Sequence, residues 1–285
     1  MSIERIAVLG AGIMGRGIAY AATISGFDTR LYDAQPAALD KGTTEIRALM
    51  EKGVAGGKLA PEARDRARLA ASKDLAQAVE GVDLVIEAAP ENIALKCELF
   101  AKLDALTPPS TILATNTSSL SVTEMAGATK RPDKVVGMHF FNPVHRMKLV
   151  EIVRALETGP ETIEAASVVS MRMGKEPVVV REAPGFVTTR VNALIGNEAF
   201  RMLEEGVASA RDIDKALKLG LNHPMGPFEL VDLVGLDTRL SILQFLFATL
   251  GERYRPNNLM VQYVQAGRLG RKTGKGVYEY PEEGA

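Results

Sequence analysis

Ten residues near the N-terminus constrain this chain more than any others: Ile6-Ala-Val-Leu-Gly10-Ala-Gly12-Ile-Met-Gly15. A short apolar run that reads as a strand passes into Gly-x-Gly-x-x-Gly and then into the apolar spacing of a helix. In that setting the first glycine permits a tight turn. The second lets backbone approach a pyrophosphate, and the third lets helix and strand pack closely. The helix start adds free N–H groups and the positive end of a dipole, which suits an anion. A second strand ends in Leu31-Tyr32-Asp33, about 20 residues on, where a carboxylate can take the hydroxyls of an adenosine ribose. Asp33 would repel a 2′-phosphate, and Ala34 after it offers no arginine to bind one. The run Gly10, Gly12, Ile13, Met14, Gly15 with Asp33 therefore predicts a dinucleotide site that takes NAD in preference to NADP. A turn or helix cap is the competing role for Asp33.

The rest of the chain extends this pattern. Apolar runs rich in β-branched residues predict strands at 6–9, 29–32, 82–88, 111–114, 135–141, 149–153 and 177–180. Helical spacing lies between most of them, at 14–25, 37–52, 94–106 and 162–173. Such alternation predicts an α/β domain of Rossmann type, its mostly parallel sheet covered on both faces. At Ala183-Pro184-Gly185 the texture changes, since proline restricts the residue before it. Beyond it the spacing is helical. The expectation is an NAD-binding domain over 1–183 and an all-α domain over 184–285.

Composition narrows the function classes. With 285 residues and 46% hydrophobic side chains, a sizeable core can be buried. A net charge of -1 gives no sign of a surface for nucleic acid or membrane. The single cysteine, Cys97, cannot form an internal disulfide, and no Cys/His cluster has the spacing of a metal site. The N-terminus enters a strand at once instead of a basic segment and a long apolar run. These features predict a cytoplasmic protein without a metal.

Two polar residues interrupt apolar strands: His139 in 135–141 and Glu151 in 149–153. Charged groups in such surroundings need a partner. A symmetric antiparallel hairpin about His145 would set 139 opposite 151. A carboxylate facing an imidazole fixes its tautomer and stabilises its protonated form, as a general base requires. A purely structural buried pair reads the same way.

With these residues in view, the chain resembles the 3-hydroxyacyl-CoA dehydrogenases, including their short-chain 3-hydroxybutyryl-CoA members. The matching segments are Gly10-Ala-Gly-Ile-Met-Gly15, Glu87-Ala-Ala-Pro-Glu91, Thr115-Asn-Thr-Ser-Ser-Leu120 and His139-Phe-Phe-Asn-Pro143. Met147-Lys-Leu-Val-Glu151, Ala183-Pro-Gly-Phe186, Pro224-Met-Gly-Pro-Phe-Glu229 and Gly270-Arg-Lys-Thr-Gly-Lys-Gly276 follow in family order. The resemblance implies reversible NAD-dependent oxidation of a 3-hydroxyacyl-CoA thioester, with a homodimer formed through the helical domain. It makes His139 the catalytic base and Glu151 its paired carboxylate. Ser118 would bond the reacting oxygen, and Asn142 would sit beside nicotinamide and substrate. Glu91, Lys96 and Asn116 would contact the cofactor.

Read without the family, Ser118, Ser119 or Ser121 could each be a helix cap. Glu91 and Lys96 would likewise be an exposed charge pair at a helix start. Lys52 and Lys58, in a glycine-rich stretch after a helix, are the lysines that the resemblance implies for coenzyme A phosphates, with solvated lysines of a flexible loop as the alternative. One position departs from the family: Thr189 stands where many members carry asparagine, and Asn192 lies about one helical turn later. Two other functions fit the dinucleotide motif, a dehydrogenase of another hydroxy acid and a regulatory dinucleotide-binding protein. The combination of His139, Glu151 and Ser118 argues against the second.

Overall fold

The computed structural model describes residues 2–280, so the last five residues of the expected second domain lie outside the description. The chain divides into two compact units, Met1–Ala183 and Pro184–Ala285. In the first, the order is β1 (Arg5–Leu9), α1 (Ile13–Ile24), β2 (Asp28–Tyr32), α2 (Pro36–Ala55), α3 (Pro61–Asp65), β3 (Arg68–Ser72) and α4 (Leu75–Val79). Next come β4 (Leu84–Glu87), α5 (Ile93–Leu106), β5 (Ile112–Thr115), α6 (Val122–Gly127), β6 (Val135–Phe140), β7 (Leu149–Arg154), α7 (Pro160–Arg172) and β8 (Glu176–Arg181). All eight strands join one sheet in the order β3-β2-β1-β4-β5-β6-β7-β8. Every pairing is parallel except β6 with β7.

Sequence pattern explains the layers. Every residue of β4, β5 and β6 is buried, as expected for central strands covered by helices on both faces. The chain leaves β1 toward β2 and β3, then returns to place β4 on the other side of β1. That reversal opens a crevice at the carboxyl ends of β1 and β4, where doubly wound sheets bind ligands.

Three local expectations are corrected. The eighth strand, β3, is Arg-Leu-Ala-Ala-Ser at a sheet edge, with three exposed or half-exposed small side chains and no β-branched run to announce it. Strand β4 spans four residues, shorter than the apolar run 82–88. Helix α2 runs on to Ala55, so Lys52 belongs to its last turn, and the connection begins at Gly56.

The second unit contains α8 (Thr188–Glu204), α9 (Ala210–Gly220), α10 (Pro227–Val234), α11 (Leu236–Leu250) and α12 (Asn258–Gln265). Its described residues form no strand beyond isolated bridges at Gly270–Lys275 and Lys275–Glu279. Leu240, Leu243 and Leu246 of α11 face its core, with Phe200, Phe228 and Met260. Two buried carboxylates hold the Pro224–Glu229 segment and the residues that follow Gly276. Buried Asp214 accepts from Phe228 N (2.8 Å), Glu229 N (3.1 Å) and the Tyr278 hydroxyl (2.7 Å). Asp232 likewise accepts from Val277 N (2.8 Å), Tyr278 N (2.9 Å) and the Tyr280 hydroxyl (2.9 Å). A Cβ at Gly226 would overlap the Asp214 carboxyl, which is why the Pro-Met-Gly-Pro turn needs glycine there. Three donors per carboxylate offset the cost of burying each charge.

Candidate functional site

The site is built along one edge of the sheet. Strands β1, β4, β5 and β6 are neighbours and parallel. Gly10, Glu87, Ser118 and His139 lie at or just past their carboxyl ends.

At β1 the turn is closed by hydrogen bonds from Gly10 N to Tyr32 O (2.8 Å) and from Ala11 N to Asp33 Oδ2 (2.7 Å). Gln35 N donates to Asp33 Oδ1 (2.8 Å). Asp33 is thus a turn cap. Each of its oxygens keeps a second lone pair, so capping does not exhaust it. A Cβ on Gly15 would overlap Gly10 O, whereas Gly12 faces open space. Helix α1 has Gly12 as its N-cap and so no side-chain cap, which leaves its first N–H groups for a ligand. Gly10, Gly12, Ile13, Met14, Asp33 and Ala88 line a cavity of about 610 Å³. Glycine backbone, uncapped helix start and carboxylate together fit a dinucleotide.

His139 and Glu151 pair directly across the β6–β7 hairpin. His139 Nδ1 and Glu151 Oε2 are 2.8 Å apart, with both side chains buried. When Nδ1–H donates to the carboxylate, the basic lone pair of the ring lies on Nε2. Phe140 N donates to Asn116 Oδ1 (2.9 Å), which ties β6 beside His139 to the end of β5. Asn116 therefore has a positioning bond of its own, whatever it offers a cofactor.

Lys96 corrects the expectation of an exposed charge pair: its side chain is 1% exposed and lies between two carboxylates. Its ammonium donates to Glu87 Oε1 (2.6 Å) and Ala89 O (3.2 Å), and lies 3.4 Å from Glu91 Oε2. The first two contacts are hydrogen bonds and the third is an ion pair. Glu87 further accepts from Ala89 N (2.6 Å) and Thr115 Oγ1 (2.6 Å). Glu91 Oε1 accepts from the Thr117 hydroxyl and from Ser118 N (3.0 Å). The chain Thr115–Glu87–Lys96–Glu91–Ser118 thus holds the loop that carries Ser118. The sequence expectations give Glu87 no role, although a glutamate in an apolar strand is the signal that singles out Glu151. The cap of α6 is Ser121, which accepts from Glu124 N (3.1 Å), so Ser118 is not that cap.

Asn142, Lys52, Ile13, Arg16 and His145 line a second cavity of about 350 Å³, where Arg16 is ion-paired with Glu45. Partial burial, and then the charges of Arg146, Lys175 and Lys58, hold the His145 pKa below its ordinary range. Lys58 lies in the turn after α2. In the second unit, half-buried Thr189 and Asn192 stand one turn apart at the start of α8. Among the described residues no three His, Cys, Asp or Glu side chains cluster as metal ligands. Among the described residues no single helix is long and apolar enough to cross a membrane.

Comparison with known proteins gives a consistent result. Residues 5–183 match the model of the 3-hydroxyacyl-CoA dehydrogenase NAD binding domain, and residues 185–280 match that of the C-terminal domain. A probable 3-hydroxybutyryl-CoA dehydrogenase of Bacillus subtilis is 46% identical over 286 residues, covering 99% of both chains. The mitochondrial hydroxyacyl-coenzyme A dehydrogenase of Sus scrofa is 41% identical over 98% of this chain and 91% of its own. The solved (S)-3-hydroxybutyryl-CoA dehydrogenase of Ralstonia eutropha superposes with a TM-score of 0.94 at 41% identity, over 99% of this chain and 100% of that one.

Proposed function

The chain belongs to the 3-hydroxyacyl-CoA dehydrogenase family, and on that premise we propose that it reversibly oxidises a (3S)-3-hydroxyacyl-CoA with NAD, a four-carbon hydroxybutyryl thioester being its substrate. The observation that carries the reading is the buried 2.8 Å bond between His139 and Glu151 at the carboxyl edge of the sheet. His139 Nε2 takes the proton of the 3-hydroxyl as the C3 hydrogen departs as hydride. The nicotinamide, when bound, supplies the hydride acceptor. Glu151 stabilises the imidazolium that forms and keeps the ring oriented. Ser118 donates to the reacting oxygen and Asn142 orients the reactants, a contribution of geometry more than of charge. In the reducing direction His139 returns the proton. Lys52 and Lys58 meet the phosphates of coenzyme A, and Thr189 or Asn192 contacts the substrate. Two chains pair through the helical unit, a reading supported by the exposed Val207, Leu219, Leu221 and Leu233.

The test follows loss of NADH absorbance with acetoacetyl-CoA. The wild-type protein should turn over the thioester and leave free hydroxy acids untouched. His139→Ala should lower kcat by about 10²- to 10⁴-fold, the usual share of a general base, while NADH still binds. Comparable turnover of free hydroxy acids, or a fully active His139→Ala variant, would sink the proposal.

A further inference from the structure

One buried amine has no part in the chemistry above. Lys175 follows α7 and Gly174, immediately before β8, and its side chain turns back beneath the β6–β7 hairpin. Its ammonium donates to the carbonyl oxygens of Val144 and Met147, the latter at 2.9 Å. The residue is 8% exposed. Among the described residues it has no carboxylate within ion-pairing distance, so a cation has been buried to hold two backbone carbonyls of a single turn. Burial pushes its pKa down, which is the expected cost of desolvating an ammonium.

That turn also packs against α1. Val144 is buried, and its side chain lies over Gly17 of α1, where an added Cβ would stand 2.8 Å from Val144 Cγ2. One turn further along α1, the Tyr20 ring meets the next residue of the hairpin, His145, edge-on at 6.3 Å between centroids. Inside the turn, Arg146 N (2.9 Å) and Met147 N (3.0 Å) both donate to Pro143 O. Helix α1 is the helix that begins at the glycine turn, and Asn142 is two residues before Val144.

We infer that Lys175 and Gly17 are positioning residues for hydride transfer, locking the hairpin turn that carries Asn142, and the strand end that carries His139, onto the dinucleotide-binding helix. The inference rests on the reading of His139 and Asn142 given under Proposed function. The lock has two parts: the ammonium holds the Val144 and Met147 carbonyls, and the missing side chain at Gly17 lets Val144 settle against α1. Release of either lets Asn142 drift. Misplacement by about 1 Å is enough to cost on the order of 10²-fold in rate.

The experiment compares Lys175→Met, Lys175→Arg and Gly17→Ala with wild type by steady-state kinetics, NADH fluorescence titration and amide exchange. Lys175→Met keeps the stem and loses the donors; it should lower kcat about 30- to 100-fold and change NADH affinity less than about threefold. Exchange at the Arg146 and Met147 amides should rise, with the central strands still protected. Lys175→Arg retains N–H donors and should recover most of kcat. Gly17→Ala should reproduce the kcat loss by pushing on Val144, and it keeps the inference testable if Lys175→Met does not fold. Unchanged kcat in both Lys175→Met and Gly17→Ala, with wild type active and His139→Ala inactive, overturns the inference and leaves the functional reading standing. An inactive wild type overturns the functional reading instead. In that case unchanged exchange at residues 143–148 in Lys175→Met would overturn the turn lock as well.

Discussion

Replacing Lys96 by methionine removes the cation from between Glu87 and Glu91 with little change in volume. The Glu87 side chain is fully buried, and its remaining partners would be Ala89 N and Thr115 Oγ1 at 2.6 Å each. Removing one member of a buried ion pair typically costs about 3–5 kcal/mol, because the other charge is left uncompensated. The two retained hydrogen bonds put this case near the lower limit, about 3 kcal/mol. For a unit of this size each kcal/mol moves the melting midpoint by about 2–4 °C, so a fall of roughly 6–12 °C is expected. Differential scanning calorimetry measures it, with NADH fluorescence titration alongside. The double variant Glu87→Gln/Lys96→Met removes both charges together and should regain most of the loss. A coupling of about 2 kcal/mol or more in the double-mutant cycle is expected. A melting shift under about 2 °C with NADH affinity weakened about 100-fold, some 2.7 kcal/mol, would refute the reasoning. Lys96 would then be a direct ligand of the cofactor and not an internal tie.

Glu151→Gln keeps an acceptor for His139 Nδ1–H but removes the charge that stabilises the imidazolium. Its kcat should fall about 10²- to 10⁴-fold with the NADH dissociation constant nearly unchanged, as read by stopped-flow and titration. The helical unit should show an acid limb in its stability. The hydrogen bond from Lys218, followed by that from Gly226 N, holds the Glu229 carboxyl below its ordinary value of 4.5. Between the folded and unfolded values the unfolded chain binds more protons. The contribution is therefore full above about pH 4.5 and is lost as pH falls through the folded value. Urea unfolding from pH 6 to pH 3 should show Glu229→Gln with a flatter acid limb than wild type, and identical slopes would count against this.

The sequence alone determined the features that are local or symmetric along the chain. The glycine turn was legible because strand, turn and helix start are contiguous from Ile6 to Gly15, with Asp33 at the end of the next strand. The pairing of His139 with Glu151 was legible because a short hairpin leaves few registers, and only one of them partners two buried polar groups. Tertiary structure alone decided the rest. Strand β3 exists because β2 offers it an edge; its Leu-Ala-Ala core has too little periodicity to announce a strand. Lys96 reads as a surface lysine until α5 sets it against the ends of β4 and β5, where low local dielectric makes its two carboxylates partners. Lys175 and Val144 are 31 residues apart and meet because α7 and β8 bring one beneath the other. Periodicity says which face of an element is buried, but the partner of a buried charge depends on contacts between elements distant in the chain. The pairing of His139 with Glu151 could therefore be read from spacing, whereas the residues that hold the pair in place could not.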